Sequence, residues 1–422
     1  MRFHKWASLL AVLVLFASMP QSTKADSVKT SRVLIRASVE ERKRLEDRYG
    51  LRHDFGDLGF TVEIPEVDLV PLRERKGIDI APVQSWAAAP FASRVHASKV
   101  GSTSRLLPNT QVPFGIRVVH NDVNRILSGS TPPSGGAGIK VAILDSGIAL
   151  DHPDFAGTTI YACLDYTGKG KGPKSGCTDT TGHGTYVAGI IASRGGMDGL
   201  GLYGVAPDAA IGVYKVCNQA CSTDDIAAAV YQAVNDGASI INISIGSNIP
   251  DPLTRAAIER AWQYGVLIVS SAGNDGPTPG SLDYPSAYPQ VVAVGSVYPM
   301  ISDDISAANL VVHETSSRGQ VGSTGSDGIQ EGEPDVVAPG VGVLSTWPDG
   351  AYLLASGTSA AAPHISGLAA IGWQGSASAT RSWLQSQALK NDVLTSAEGN
   401  GVLLLDQQGY DPASGYGSPR LN

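Results

Sequence analysis

Three side chains in this 422-residue chain could together carry nucleophilic catalysis: a serine hydroxyl, an imidazole and a carboxylate. Ser359 lies in Ser356-Gly357-Thr358-Ser359-Ala360-Ala361-Ala362-Pro363-His364. Its small residues allow tight helix packing, and Pro363 is tolerated in a first turn, where its missing N–H needs no helical partner. A helix starting here brings N–H groups and a positive dipole end to the hydroxyl, which suits an oxyanion. His183 lies in Gly182-His183-Gly184-Thr185, ahead of the apolar Val187-Ala188-Gly189-Ile190-Ile191. That pattern reads as a buried helix whose first turn carries an imidazole. Asp145 directly follows the apolar run Val141-Ala142-Ile143-Leu144. Taken singly, each has an ordinary structural reading. An acid ending a strand more often caps a turn, and a lone histidine more often serves the core. The Gly138–Gly147 stretch lacks the glycine order of a dinucleotide loop.

Groups so far apart in sequence need a scaffold to meet. Apolar runs at Lys140–Leu144, Ile211–Val216, Ser239–Ile245, Val266–Ser270 and Val291–Val297 predict strands. Several are continuous rather than alternating, as in strands buried on both faces of a parallel sheet. Helical stretches at Asp224–Asn235 and Leu253–Tyr264 lie between them, so the expectation is a three-layer α/β domain. In such folds the site forms at the C-terminal ends of the strands, where Asp145 falls.

The segments around Asp145, His183 and Ser359, in that order, resemble the motif blocks of the subtilisin-like serine proteases. The similarity runs from Val112-Pro113-Phe114-Gly115 to Gly401–Asp406. It implies a secreted endopeptidase acting on proteins and peptides, with Ser359 as nucleophile, His183 as base and Asp145 as the group that fixes the imidazole tautomer. Ser271-Ala272-Gly273-Asn274 resembles the oxyanion segment, with the Asn274 amide as donor beside the Ser359 N–H. Ser244, Ile245, Gly246 and Gly273 fall where the family binds an extended substrate by backbone pairing. Asp283 falls in the pocket for the residue preceding the scissile bond, where a carboxylate would add tolerance for Lys or Arg. Calcium is the implied cofactor, held by Asp154 and Asp198 with a contribution near Thr110 or Gln111; no organic cofactor is implied. Ala360 stands where the family commonly has Met, and Tyr186 where it usually has His. The stretches Ala162–Thr178 and Gln320–Glu333 look like insertions. Two other functions fit parts of the pattern. One is a cleft that only binds peptides, which serine-reactive labelling would exclude. The other is an acid-acting Ser-Glu-Asp enzyme, which lacks the His183 block.

The rest of the chain reads as the parts of a precursor. Arg2, His4 and Lys5 precede an apolar run from Trp6 to Ala17, so residues 1–25 are expected to be an export signal. Residues 26–84 carry 11 Lys/Arg and 12 Asp/Glu. Ser38 with Glu41 predicts a capped helix ending before Gly50, between strands at Val33-Leu34-Ile35 and Phe60–Ile64. By position and pattern this small α+β unit is similar to the family's ferredoxin-like propeptide, which assists folding and inhibits its own enzyme. Residues 85–110, rich in Ala, Ser and Pro, are expected to be a processing linker, with Arg94, Arg105 or Leu107 as cleavage points. The catalytic domain is expected at 111–408 and a tail at 409–422. From Gln111 onward 14 basic residues face 27 acidic ones, which argues against nucleic acid or an anionic membrane as partner. The mature enzyme is expected to be a monomer. Cys163, Cys177, Cys217 and Cys221 favour disulfides in an exported chain, with three pairings possible. Zinc at Cys217 and Cys221 would lack two ligands.

Overall fold

The structure, a computed structural model, describes residues 29–88, 93–95, 111–120, 134–197, 201–301, 304–322, 329–391, 393 and 410–421. The expected export signal lies outside these residues, as does most of the expected linker. Among the described residues no helix is long and apolar enough to cross a membrane.

The N-terminal unit is an antiparallel sheet with two helices on one face. Its strands are β1 (Thr30–Ala37), β2 (His53–Asp54), β3 (Phe60–Pro65) and β4 (Ile78–Pro82), in the order β2-β3-β1-β4. Helices α1 (Val39–Tyr49) and α2 (Glu66–Arg73) complete it. Period-2 alternation sorts β1 between two environments. Val33 and Ile35 join Leu45, Phe60, Val62, Ile64, Leu69 and Leu72 in the unit's own core. Leu34 faces the other way and packs, with Phe55, into the core of the large domain. Ser38 caps α1 by accepting from the Glu41 N–H, and Gly50 ends it with its N–H on the Glu46 carbonyl.

The large domain holds β7 (Lys140–Asp145), β8 (Ile160–Asp165), β9 (Lys174–Ser175), β10 (Ala210–Lys215), β12 (Ile240–Ile243), β14 (Leu267–Ser271), β15 (Val291–Pro299), β16 (Leu310–Val312) and β17 (Val336–Pro339) in one sheet. The order is β16-β15-β14-β12-β7-β10-β8-β9, with β17 also on β15. Pairing is parallel throughout except for β15 with β16 and β8 with β9. One face is covered by α3 (Phe114–His120), α4 (His183–Ala192), α7 (Thr358–Ile371) and α8 (Ala377–Ala388). The other is covered by α5 (Thr223–Asn235) and α6 (Pro252–Gln263). Along β7, Val141 and Ile143 enter the first core while Ala142 and Leu144 enter the second. This two-faced burial is why the strand reads as an unbroken apolar run. A hairpin, β18 (Val343–Trp347) and β19 (Ala351–Ser356), leads into α7.

Two boundaries differ from expectation. Residues 410–421 are not a tail. The Gly417 carbonyl accepts from Val337 N–H at 3.0 Å, the Tyr416 N–H donates to Asp335 O at 2.7 Å and the Leu421 N–H donates to Val119 O at 2.8 Å. The segment thus completes backbone hydrogen bonding at the β17 end of the domain, a role that leaves no periodic signature. Nor is the start of the expected linker unstructured. Ser85–Ala88 form β5 between β11 (Cys221–Ser222) and β13 (Ile245–Gly246), and Ser93–Val95 form β6 against β19. An extended segment can be recruited by strand edges whatever its side chains, so composition does not reveal it. Both disulfides are local, Cys163–Cys177 and Cys217–Cys221.

Candidate active site

Asp145 ends β7 and is fully buried. Its two carboxylate oxygens lie 2.8 and 3.0 Å from Nδ1 of His183, and Oδ1 also accepts the Ser146 N–H at 2.7 Å. His183 is the first residue of α4. The next residue must be glycine because a Cβ on Gly184 would lie 2.2 Å from the Gly147 carbonyl, so the helix start sits directly on the turn after β7.

An acid that the sequence analysis missed braces this corner. Asp179 accepts the N–H groups of Thr181, Gly182 and Thr185 at 3.0, 2.8 and 2.9 Å, plus the Thr185 hydroxyl at 2.6 Å and the Ser146 hydroxyl at 2.9 Å. It serves as the side-chain cap that Gly182 cannot supply to α4. Burial works to raise the Asp179 carboxyl, but the bonds from Thr185, Gly182 and Thr181 outweigh it and hold it below the usual carboxylate range. Ser146 in turn accepts the Gly184 N–H at 2.9 Å. The residue following Asp145 and the helix carrying His183 are therefore tied to one carboxylate. An acid four residues before the histidine was the available sequence signal.

Ser359 is the second residue of α7, which packs against α4 on the same sheet face. Its hydroxyl donates to the Ser244 carbonyl at 3.2 Å. Ser244 follows β12, whose Ile243 is in register with Leu144 of β7, so Ser359 and Asp145 lie at the same, C-terminal end of the central strands. Asn274 follows β14 at the same end of the sheet. Its Oδ1 accepts the Thr358 N–H at 3.0 Å, which fixes the amide plane and makes Nδ2 the donor end. An imidazole held in one tautomer, a serine hydroxyl and a fixed amide donor are the parts that acyl transfer needs.

The cleft beside Ser359 is lined by strand edges that already carry the chain's own N-terminal part. Ala88 pairs antiparallel with Ile245 and Ala87 with Gly246, while Trp86 pairs with Cys221 on the opposite edge. On the strand leading into α7, Ser93 pairs with Ser356 and Arg94 with Ala355. Asp283 sits behind this cleft, its N–H on the Ala272 carbonyl at 2.9 Å. Its Oδ2 is 2.8 Å from where a Cβ on Gly273 would stand, and Gly273 has φ of +109°. Only glycine suits that position, and its bareness leaves the Asp283 side chain against Gly273 and Gly246. Burial, with a smaller push from Asp275, raises Asp283 to about 7. Glu331 braces this wall from outside, accepting from Tyr284 Oη at 3.0 Å and from Arg255 at 2.7 Å.

Of the two expected metal ligands, Asp198 lies outside the described residues. Asp154 is buried, with Oδ2 accepting the Leu202 N–H at 2.7 Å and Oδ1 the Tyr352 hydroxyl at 3.1 Å. The Gln111 carbonyl reaches the same loop, accepting from Tyr203 N–H at 2.9 Å. A buried carboxylate beside carbonyl-bearing loops is an all-oxygen set, the donor chemistry that fits calcium.

The family model described as "Subtilase family" matches residues 136–417. A subtilisin of Bacillus sp. (strain TA39) is 34% identical over 97% of this chain and 96% of its own length. The major intracellular serine protease of Bacillus subtilis (strain 168) is 34% identical over 64% of this chain and 82% of its own. Among solved structures, an S41 psychrophilic protease is 38% identical with a TM-score of 0.66, covering 74% of this chain and 99% of its own.

Proposed function

We propose, since the chain belongs to the subtilase family and is a subtilisin-like serine endopeptidase, that it hydrolyses proteins through an acyl-enzyme on Ser359. His183 takes the Ser359 proton and later returns it to the leaving amine, and Asp145 stabilises the imidazolium. Asn274 and the Ser359 N–H hold the oxyanion. The observation that carries these roles is the double contact of Asp145 with Nδ1 of His183, which leaves Nε2 as the base. A serine-reactive phosphonate should label Ser359 stoichiometrically, and kcat/KM should fall on a histidine-like acid limb. Labelling elsewhere, or activity confined to acid pH, would overturn the assignment.

In this reading the chain is an exported precursor. Its two disulfides suit an oxidising compartment, and the 26–84 unit is the propeptide. Strands β5 and β6 lie on the two sides of Ser359, so the first self-cleavage is expected upstream of Ser93 rather than at Arg94 or Arg105. N-terminal sequencing of the first cleavage product decides this.

Asp283 gives the specificity pocket a pH dependence. A carboxyl raised to about 7 is neutral in acid and charged in alkali. Cleavage after Lys relative to Leu should therefore rise by about tenfold between pH 6 and 8.5. The His183 limb cancels in that ratio. Asp283→Ser should flatten it while leaving Leu cleavage intact. A ratio that is pH-independent in the wild type, or unchanged by the substitution, would remove Asp283 from the pocket.

Calcium, held by Asp154 and the oxygens of the Gln111 and Leu202–Tyr203 segments, would stabilise the folded state by binding it alone. Chelation should lower the melting temperature, and Asp154→Ala should abolish that sensitivity. An unchanged melt on chelation of the wild type would dismiss the site.

A further inference from the structure

The two halves of the molecule meet in a buried cluster of charges. Arg52 of the N-terminal unit is only 3% exposed. Its guanidinium donates to the Gly168 carbonyl at 2.9 Å, the Tyr166 carbonyl at 3.3 Å and Asp225 Oδ1 at 2.8 Å, and its Nε lies 3.6 Å from Asp224 Oδ2. Gly172 N–H donates back to the Arg52 carbonyl at 3.1 Å. Arg32 reaches Asp225 at 2.7 Å and Asp224 at 3.4 Å, and His53 Nε2 lies 2.8 Å from Asp225. Asp224 and Asp225 occupy the first turn of α5, where the helix end favours acids. The carbonyls come from the stretch between Cys163 and Cys177, whose disulfide ties its ends together.

His53, Asp224 and Asp225 lie close enough to hold a metal ion. Two guanidiniums already engage those carboxylates, so a cation there would meet like charge. The acceptors instead match one group. Two carbonyls and a carboxylate, each within 3.3 Å of a guanidinium nitrogen, fit the several donors of arginine and cannot all be reached by the point charge of lysine.

We propose that Asp224, Asp225 and the carbonyls of Tyr166 and Gly168 form a guanidinium-recognition site on the catalytic domain, and that Arg52 in this site holds the N-terminal unit in place after the connecting chain is cut. The proposal rests on the precursor reading above. It adds that retention depends on this site and not only on the strand lying in the cleft. Removing one partner of a buried, hydrogen-bonded charge pair strands the other, which should speed release on the order of 100-fold.

The test uses the full chain, allowed to process itself and then followed by gel filtration and by the lag before peptidase activity appears. Arg52→Gln and Asp225→Asn should each shed the N-terminal fragment about 100-fold faster than wild type. Arg52→Lys should also release it markedly faster. The kcat/KM of the enzyme released from either Arg52 variant should equal wild type, because the residue leaves with the fragment. Retention of the fragment by Arg52→Gln at the wild-type rate would overturn the proposal, as would full replacement by Arg52→Lys. If Arg52→Gln yields no folded enzyme, Arg52→Lys alone decides by the same criterion. If the wild type never cuts itself, the precursor reading fails, and the site is tested in the uncut Ser359→Ala chain. There Arg52→Gln and Asp225→Asn should each lower the melting temperature, and the double variant should fall no further than the worse single. Additive losses would overturn the site.

Discussion

Ser359→Ala in the full chain should yield a secreted precursor that stays at full length, with peptidase activity near background. In the proposed mechanism the hydroxyl forms the acyl-enzyme, and alanine leaves His183 with no proton to take. The scale of the loss, about a millionfold in turnover, is borrowed from subtilisin itself, where removing the nucleophile has that effect. Alanine is smaller than serine, and the change removes a hydroxyl that donates to the Ser244 carbonyl at 3.2 Å without adding bulk, so the fold should survive. N-terminal sequencing and intact mass report the processing, and a sensitive peptide assay reports the activity. A variant that still lost its N-terminal unit when made alone in a protease-free host would show that another group cuts the chain. Activity within a hundredfold of wild type would move the nucleophile elsewhere.

How far the sequence could be read depended on where the constraint lay. Val141–Leu144 is legible because both faces of β7 are buried, so every position must be apolar. The Gly-His-Gly motif is legible because Gly184 cannot carry a Cβ against the Gly147 carbonyl. Trp86 belongs to the opposite class. It is nearly fully buried, yet its strand forms only because two edges from the large domain enclose it. Arg52 and Asp225 are 173 residues apart, and no local pattern links them. Asp179 escaped notice for a different reason. A turn acid among Thr and Gly is common, and only its six donors distinguish it. Residues 410–421 read as a tail because irregular backbone that fills in hydrogen bonds at a sheet margin has the same composition as a loose end.

Asp145→Asn should cost about ten-thousandfold in kcat with little change in fold or KM. In the structure Oδ1 accepts both the His183 Nδ1 proton and the Ser146 N–H, at 2.8 and 2.7 Å, while Oδ2 lies 3.0 Å from Nδ1. A carboxamide cannot reproduce that pattern. If its oxygen stays with the Ser146 N–H, its NH2 takes the Oδ2 place and points a proton at Nδ1. The imidazole then answers by accepting at Nδ1 and keeping its own proton on Nε2. In the proposed mechanism Nε2 receives the Ser359 proton, so the base is lost while its position is kept. The reverse orientation would set NH2 against the Ser146 N–H, two donors facing each other, which makes it the costlier choice. The missing charge also leaves any imidazolium that does form without its partner. Nitrogen NMR of a histidine-labelled variant should find the His183 proton on Nε2, whereas the wild type carries it on Nδ1. Activity within tenfold of wild type, or an Nδ1 proton that stays in place, would mean that Asp145 does not set the tautomer.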